Sequence, residues 1–151
     1  MSLKDDIKQK EFKTESQKAL INVIYTYNHI IGQMNSFFKE NDITRQQYNV
    51  LRILRGQSPQ PATINLIKER MLDKMSDASR IVKRLEAKEL VAKITSKTDK
   101  RLTQIKISEQ GLELLASTDE KARGFEHIFD NLTTEETTTL NLLLDKLRGS
   151  K

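Results

Sequence analysis

Only two imidazoles occur in the chain, His29 and His127, and there is no cysteine. Nucleophilic and acid–base catalysis need a base within reach of its partner and a third group to orient it. The two histidines lie far apart, without H-E-x-x-H or triad spacing, and no glycine cluster could cradle a phosphate. Glu126, His127 and Asp130 fall within one helical turn and could be read as metal ligands. Two carboxylates and one imidazole on an acidic segment are more often a solvated face. The sequence therefore predicts no catalytic residues, no metal site and no cofactor, and without cysteine it excludes disulfides and thiol redox switching.

The residues whose pattern does point to chemistry are basic. Between Ser76 and Lys106 stand nine basic residues against four acids, a surplus of five that equals the net charge of the whole 151-residue chain. The rest of the sequence is balanced. Within this block Ser76, Ser79, Arg80, Lys83 and Arg84 share one helical side, while Ala78, Ile81, Val82 and Leu85 follow the i, i+3, i+4, i+7 spacing of a helix lying on a core. Short hydroxyls can approach the floor of a major groove, and arginines can grip guanine O6 and N7 or phosphate.

The elements that must position these residues follow from periodicity. A long helix is predicted over 16–40, with Leu20, Ile24, Tyr27, Ile31, Met34 and Phe38 on one stripe and Val23, Ile30 and Phe37 on a second. A helix apolar on two sides needs two partners: the core of its own chain and a second subunit, or burial on both sides within the monomer. Thr44 caps a second helix from Arg45 to Arg55, closed by Gly56, and Thr63 caps a third reaching about Met71. After the break Leu72–Met75, a fourth helix runs from about Ser76 to Glu89. The period then changes: Leu90–Ser96 and Leu102–Ile107 read as a β-hairpin around the basic tip Lys97-Thr-Asp-Lys-Arg101. A fifth helix starts at Ser108 and extends to about Phe129, and Thr133 with Glu136 forms the capping box of a last helix bearing Leu140, Leu143, Leu144 and Leu147. These leucines are assigned to a dimer interface.

The predicted fold is mostly α with a small β-hairpin wing (α+β), a winged helix-turn-helix with N- and C-terminal dimerisation helices. One domain is expected over 1–151, with a DNA-binding lobe at about 44–107 and dimerisation helices at about 5–40 and 108–148. Two short helices, the second basic on its outer side, followed by a basic hairpin, suit double-stranded DNA. Ser76, Ser79, Arg80, Lys83 and Arg84 would enter the major groove, with Lys97, Asp99, Lys100 and Arg101 at the wing tip along the minor groove, whose negative potential attracts arginine.

The run Asp73-Lys-Met-Ser-Asp-Ala-Ser-Arg-Ile-Val-Lys-Arg-Leu-Glu-Ala-Lys-Glu-Leu-Val, then Asp99-Lys-Arg101 and Ile107-Ser-Glu-Gln-Gly111, resembles the MarR family of bacterial transcriptional regulators. Thr44–Leu54 is similar to that family's second helix. Two positions depart from its pattern. Glu89 stands where glycine is usual and calls for a distorted or capped turn, and Lys93 stands where arginine is common. The resemblance implies a homodimer formed by the terminal helices, a pseudo-palindromic operator, and often repression relieved by a small ligand. It matches Arg101 to the wing arginine and Asp99 to the acid that orients it.

A ligand can control such a dimer only by preferring one spacing of the two recognition helices. His29, Met34, Phe37, Phe38 and Tyr48 are the candidate lining for a small aromatic or amphipathic effector. A helical protein-interaction module without DNA binding is the alternative reading, and it predicts that neutralising Arg80 or Arg101 leaves affinity for its partner unchanged. No stretch approaches a membrane span, and Met1–Asp6 lacks the apolar core of a secretory signal, so a cytoplasmic protein with no membrane partner is expected.

Overall fold

The structure is a computed structural model that describes residues 2–149. The chain divides into two compact units, Met1–Phe37 and Phe38–Lys151. In the first, a short helix α1 (Leu3–Asp6) is capped by Ser2 and Asp5, and a long helix α2 (Glu15–Glu40) continues into the second unit. Along α2, Leu20, Val23, Ile24, Tyr25 and Tyr27 are exposed, with Leu20 at 62%, while Ile30, Ile31 and Met34 are half-buried.

In the second unit each helix starts where a side chain can accept an otherwise unpaired N–H. Helix α3 (Arg45–Gln57) is capped by Thr44, whose Oγ1 accepts from Gln47 N at 3.0 Å while Gln47 Oε1 accepts from Thr44 N. Helix α4 (Ile64–Arg70) is capped by Thr63, and α5 (Ala78–Ala87) by Asp77, whose carboxylate accepts from Arg80 N at 3.1 Å. Helix α6 (Glu109–Arg123) starts at Ser108, gives way to a 3-10 segment over Gly124–Phe129, and is followed by α7 (Thr134–Leu147), where Thr133 and Glu136 form the expected capping box.

Several boundaries differ from the sequence reading, and so does the sheet. Gly56 lies inside α3, which persists to Gln57 because nothing crowds or terminates it before the Ser58-Pro59 step. The recognition helix starts at Ala78, since the Asp77 carboxylate takes the capping role. The fifth helix tightens to 3-10 after Arg123, at Gly124. The hairpin is part of a three-stranded antiparallel sheet in the order β1-β3-β2, formed by β1 (Ala62–Thr63), β2 (Val91–Thr95) and β3 (Thr103–Ile107). A two-residue strand carries no period of its own; it exists because Ala62 and Thr63 pair with Ile105 and Gln104.

The register Val91↔Ile107 and Lys93↔Ile105 turns Ile105 and Ile107 inward, leaving β2 open to solvent beyond Val91. Both isoleucines are buried, as are Val50, Leu51 and Leu54 of α3, Ile67 of α4, Ala78, Val82 and Leu85 of α5 and Leu115 of α6. Each of the larger side chains contributes roughly 1.5–3 kcal/mol by leaving water. This common core holds α5 with its polar side outward.

The turn after α5 is sharp. Glu89 has φ +59°, in the left-handed region, which fits the distorted turn expected where glycine is usual. Its carbonyl accepts from Ser108 Oγ at 2.7 Å, and the Leu90 carbonyl accepts from Ser108 N at 3.0 Å. Ser108 therefore fastens the α5–β2 corner to the start of α6.

Candidate nucleic-acid interface

Burial of Ala78, Val82 and Leu85 fixes the rotation of α5, so Ser79, Arg80, Lys83 and Arg84 are exposed. Ser76 lies in the preceding turn and is half-buried, and its hydroxyl donates to the Asp73 carboxylate. Among the described residues, no carboxylate forms an ion pair with Arg80, Lys83 or Arg84. Two other cations of the basic block are engaged: Lys88 pairs with Asp42 at 3.3 Å and Lys93 with Glu86 at 3.2 Å. Within the basic block, the cations without an ion pair thus lie on the outer side of α5 and on the wing.

At the wing tip Lys97, Asp99, Lys100 and Arg101 are all exposed. The Asp99 carboxylate accepts from the Arg101 backbone N–H at 2.9 Å, and Ser96 Oγ accepts from Thr98 N and Asp99 N. The contact between Asp99 and Arg101 is thus to the main chain, and the arginine side chain is exposed.

The recognition helix is fastened to its neighbours at both ends. Before its start, the Asp73 carboxylate accepts from Met75 N at 3.0 Å and from Gln46 Nε2 of α3 at 3.4 Å. The Met75 amide, Gln46 and Ser76 together hold this carboxyl below its ordinary pKa. Past its end, Lys88 Nζ donates to the carbonyl of Asp42, itself at φ +48° in the turn between α2 and α3. Farther from the interface, Arg55 of α3 makes a two-pronged contact with Asp119 of α6, at 2.8 and 2.9 Å. Arg55 lowers the carboxyl pKa of Asp119, and the same bond raises that of the guanidinium. Sixty-four residues separate the pair, so no local spacing announces it.

The proposed effector lining is spread over different environments. His29 is exposed and bonds Gln33 at 2.8 Å, Met34 is half-buried, and Phe37 is fully buried. Phe38 and Tyr48 are buried and meet edge to face at 5.8 Å, with Arg52 5.8 Å from the centre of the tyrosine ring. Phe38 also borders an open cavity of about 540 Å³ with Thr44, Gln47, Arg84 and Lys88. On α7, Leu140 and Leu144 are half-buried, whereas Leu143 and Leu147 are exposed, the latter at 71%. Leu142, which the helical spacing did not single out, is exposed as well.

Comparison with known proteins agrees with this geometry. The model of the MarR family matches residues 41–102, the span from the α2–α3 turn to the wing. The chain is 30% identical over 101 residues to the HTH-type transcriptional regulator MhqR of Bacillus subtilis (strain 168), covering 67% of this chain and 68% of that protein. The chain belongs to the MarR family. The HTH-type transcriptional repressor IacR of Pseudomonas putida is also 30% identical, over 122 residues, with 80% of this chain and 69% of that one covered. Among solved structures, the organohalide-sensing regulator RdhR in its 2,4-dichlorophenol-bound form superposes with a TM-score of 0.81 at 20% identity, covering 93% of this chain and 86% of that one, a likeness of fold. MarR-family membership makes the chain a DNA-binding transcriptional regulator, and these relatives are regulators and not enzymes. No described helix is long and apolar enough to cross a membrane.

Proposed function

We propose that the chain binds a pseudo-palindromic duplex operator as a homodimer and acts as a repressor released by a small aromatic or amphipathic molecule. The observation that carries this reading is the unpaired cationic side of α5, Ser79, Arg80, Lys83 and Arg84, together with the exposed wing arginine Arg101. Ser76, Lys97, Asp99 and Lys100 complete the set. Two-fold pairing is supported by Leu142, Leu143 and Leu147 on α7 and by Leu20, Val23 and Ile24 on α2, all large apolar side chains left in water by a single copy. Two copies would set their recognition helices ~34 Å apart, one DNA turn. Control by a ligand is supported by the dichlorophenol-bound state of RdhR and by the ring pair Phe38–Tyr48.

The decisive experiment is selection of bound fragments from random duplex DNA. A two-fold motif should emerge, and Arg80→Ala should weaken binding to it by ~1–3 kcal/mol if the guanidinium reads a base. Recovery of no preferred sequence would overturn sequence-specific regulation. A molar mass near 17.5 kDa by light scattering, where twice that is expected, would overturn the dimer.

A further inference from the structure

Two large apolar side chains stand almost wholly in water in the turn that leads into the recognition helix, Leu72 at 88% and Met75 at 94% exposed. A single exposed apolar residue is common on protein surfaces and by itself says little. Met75 differs in being held where it is. Its backbone N–H donates to the Asp73 carboxylate at 3.0 Å, that carboxylate also accepts from Gln46 of α3, and Ser76 N closes the turn on the Asp73 carbonyl. The thioether chain therefore projects from an ordered turn, two residues before the Asp77 cap of α5. With Ser76, Arg80 and Arg84 it borders one concavity of about 420 Å³ on the side of α5 that bears the unpaired charge.

A recognition helix meets base edges through its N-terminal residues. Of the four bases only thymine presents a methyl group in the major groove, and it is read by apolar contact and not by hydrogen bonding. Arginine, lysine and serine offer that contact only through the carbons below their polar heads, which phosphate and base hydrogen bonds compete to place. A methionine side chain, unbranched and polarisable, can settle against a methyl group. Its exposure in the free protein is the state in which such a contact has most to gain.

We infer that Met75 is a specificity-determining residue that reads a thymine methyl group at one position of each operator half-site. This rests on the DNA-binding reading above and adds to it a base identity and the side chain that selects it. Burial of one methyl-sized group is worth ~0.8 kcal/mol, which at 1.4 kcal/mol per tenfold is about fourfold in affinity for each half-site.

The test removes the methyl group from the DNA and the side chain from the protein in turn. With the operator selected by the unaltered chain, each thymine is replaced singly by uracil, which keeps every hydrogen-bonding atom. The expected result is one thymine per half-site whose replacement weakens the unaltered protein about fourfold and has no effect on Met75→Ala, which binds both DNAs equally weakly. Selection repeated with Met75→Ala should lose the thymine preference there and keep the rest of the motif. The inference is overturned if the unaltered protein binds its operator tightly yet no thymine-to-uracil change weakens it. It is also overturned if the loss persists in Met75→Ala, or is abolished by Leu72→Ala instead. Failure to select any operator would overturn both readings together and is thereby distinguished from these outcomes.

Discussion

Gly111 and Gly56 are both helical, and replacing each with alanine should move stability in opposite directions. A Cβ built on Gly111 would lie 2.4 Å from the Leu90 carbonyl oxygen and 2.7 Å from Ile107 Cγ1. The isoleucine could yield a little, but it is buried in β3. The carbonyl is main chain and accepts from Ser108 N at 3.0 Å, so moving it weakens that hydrogen bond. Overpacking of this kind costs roughly 1–3 kcal/mol, and a strained hydrogen bond about 1 kcal/mol more. Against this stands the helix preference of alanine, about 1 kcal/mol. The net expectation for Gly111→Ala is a loss of about 1–3 kcal/mol, a fall in melting temperature of roughly 2–12 °C at this chain length. Gly56 has nothing within 4 Å of the added carbon. Gly56→Ala should therefore keep the propensity gain and melt a few degrees higher, at about 2–4 °C per kcal/mol. Thermal unfolding followed by far-UV circular dichroism measures both. A Gly111→Ala chain as stable as the parent would refute the claim that the Ser108–Gly111 corner is sterically closed.

Other consequences can be checked alongside. If the two basic faces of a dimer neutralise 6–10 phosphates, the log–log dependence of affinity on salt should have a slope of roughly −5 to −9, and a slope near zero would contradict the electrostatic interface. Arg101→Ala should lower that slope by about one and reduce preference for an A·T-rich flank; unchanged affinity and flank preference would remove the wing from the interface. Asp119 has a carboxyl pKa lowered by Arg55, so its contribution is present above the ordinary value of 3.8 and is lost as pH falls through the lower folded value. Asp119→Asn should accordingly be less stable than the parent at neutral pH by up to ~1 kcal/mol, the pair being partly exposed, with the gap closing in acid. A gap that stays open well below that pH would argue against the ion pair.

What could be read in the sequence was whatever repeats or caps locally. The face of α5 followed from the spacing of Ala78, Val82 and Leu85, and Thr44, Thr63, Ser108 and Thr133 marked helix starts because each cap acts within three residues. Tertiary choices stayed hidden. Strand β1 depends on its partner β3, and the start of α5 is set by the Asp77 cap, which no apolar spacing marks. The Arg55–Asp119 bond has no sequence signature at all. Met75 was visible inside a recognised motif, yet only its exposure beside Ser76 and Arg80 gives it chemical meaning.

Attachment of α5 at both ends, through Asp73 and Gln46 before it and through Lys88 and Asp42 after it, separates what holds the helix from what it displays. Arg80, Lys83 and Arg84 take no part in either fastening, and surface substitutions of that kind usually change stability by less than about 0.5 kcal/mol. Mutation can therefore explore the displayed side chains almost without regard to folding. A lineage built on this scaffold can acquire new operators by changing a handful of exposed positions, while the clamps and the core beneath them stay the same.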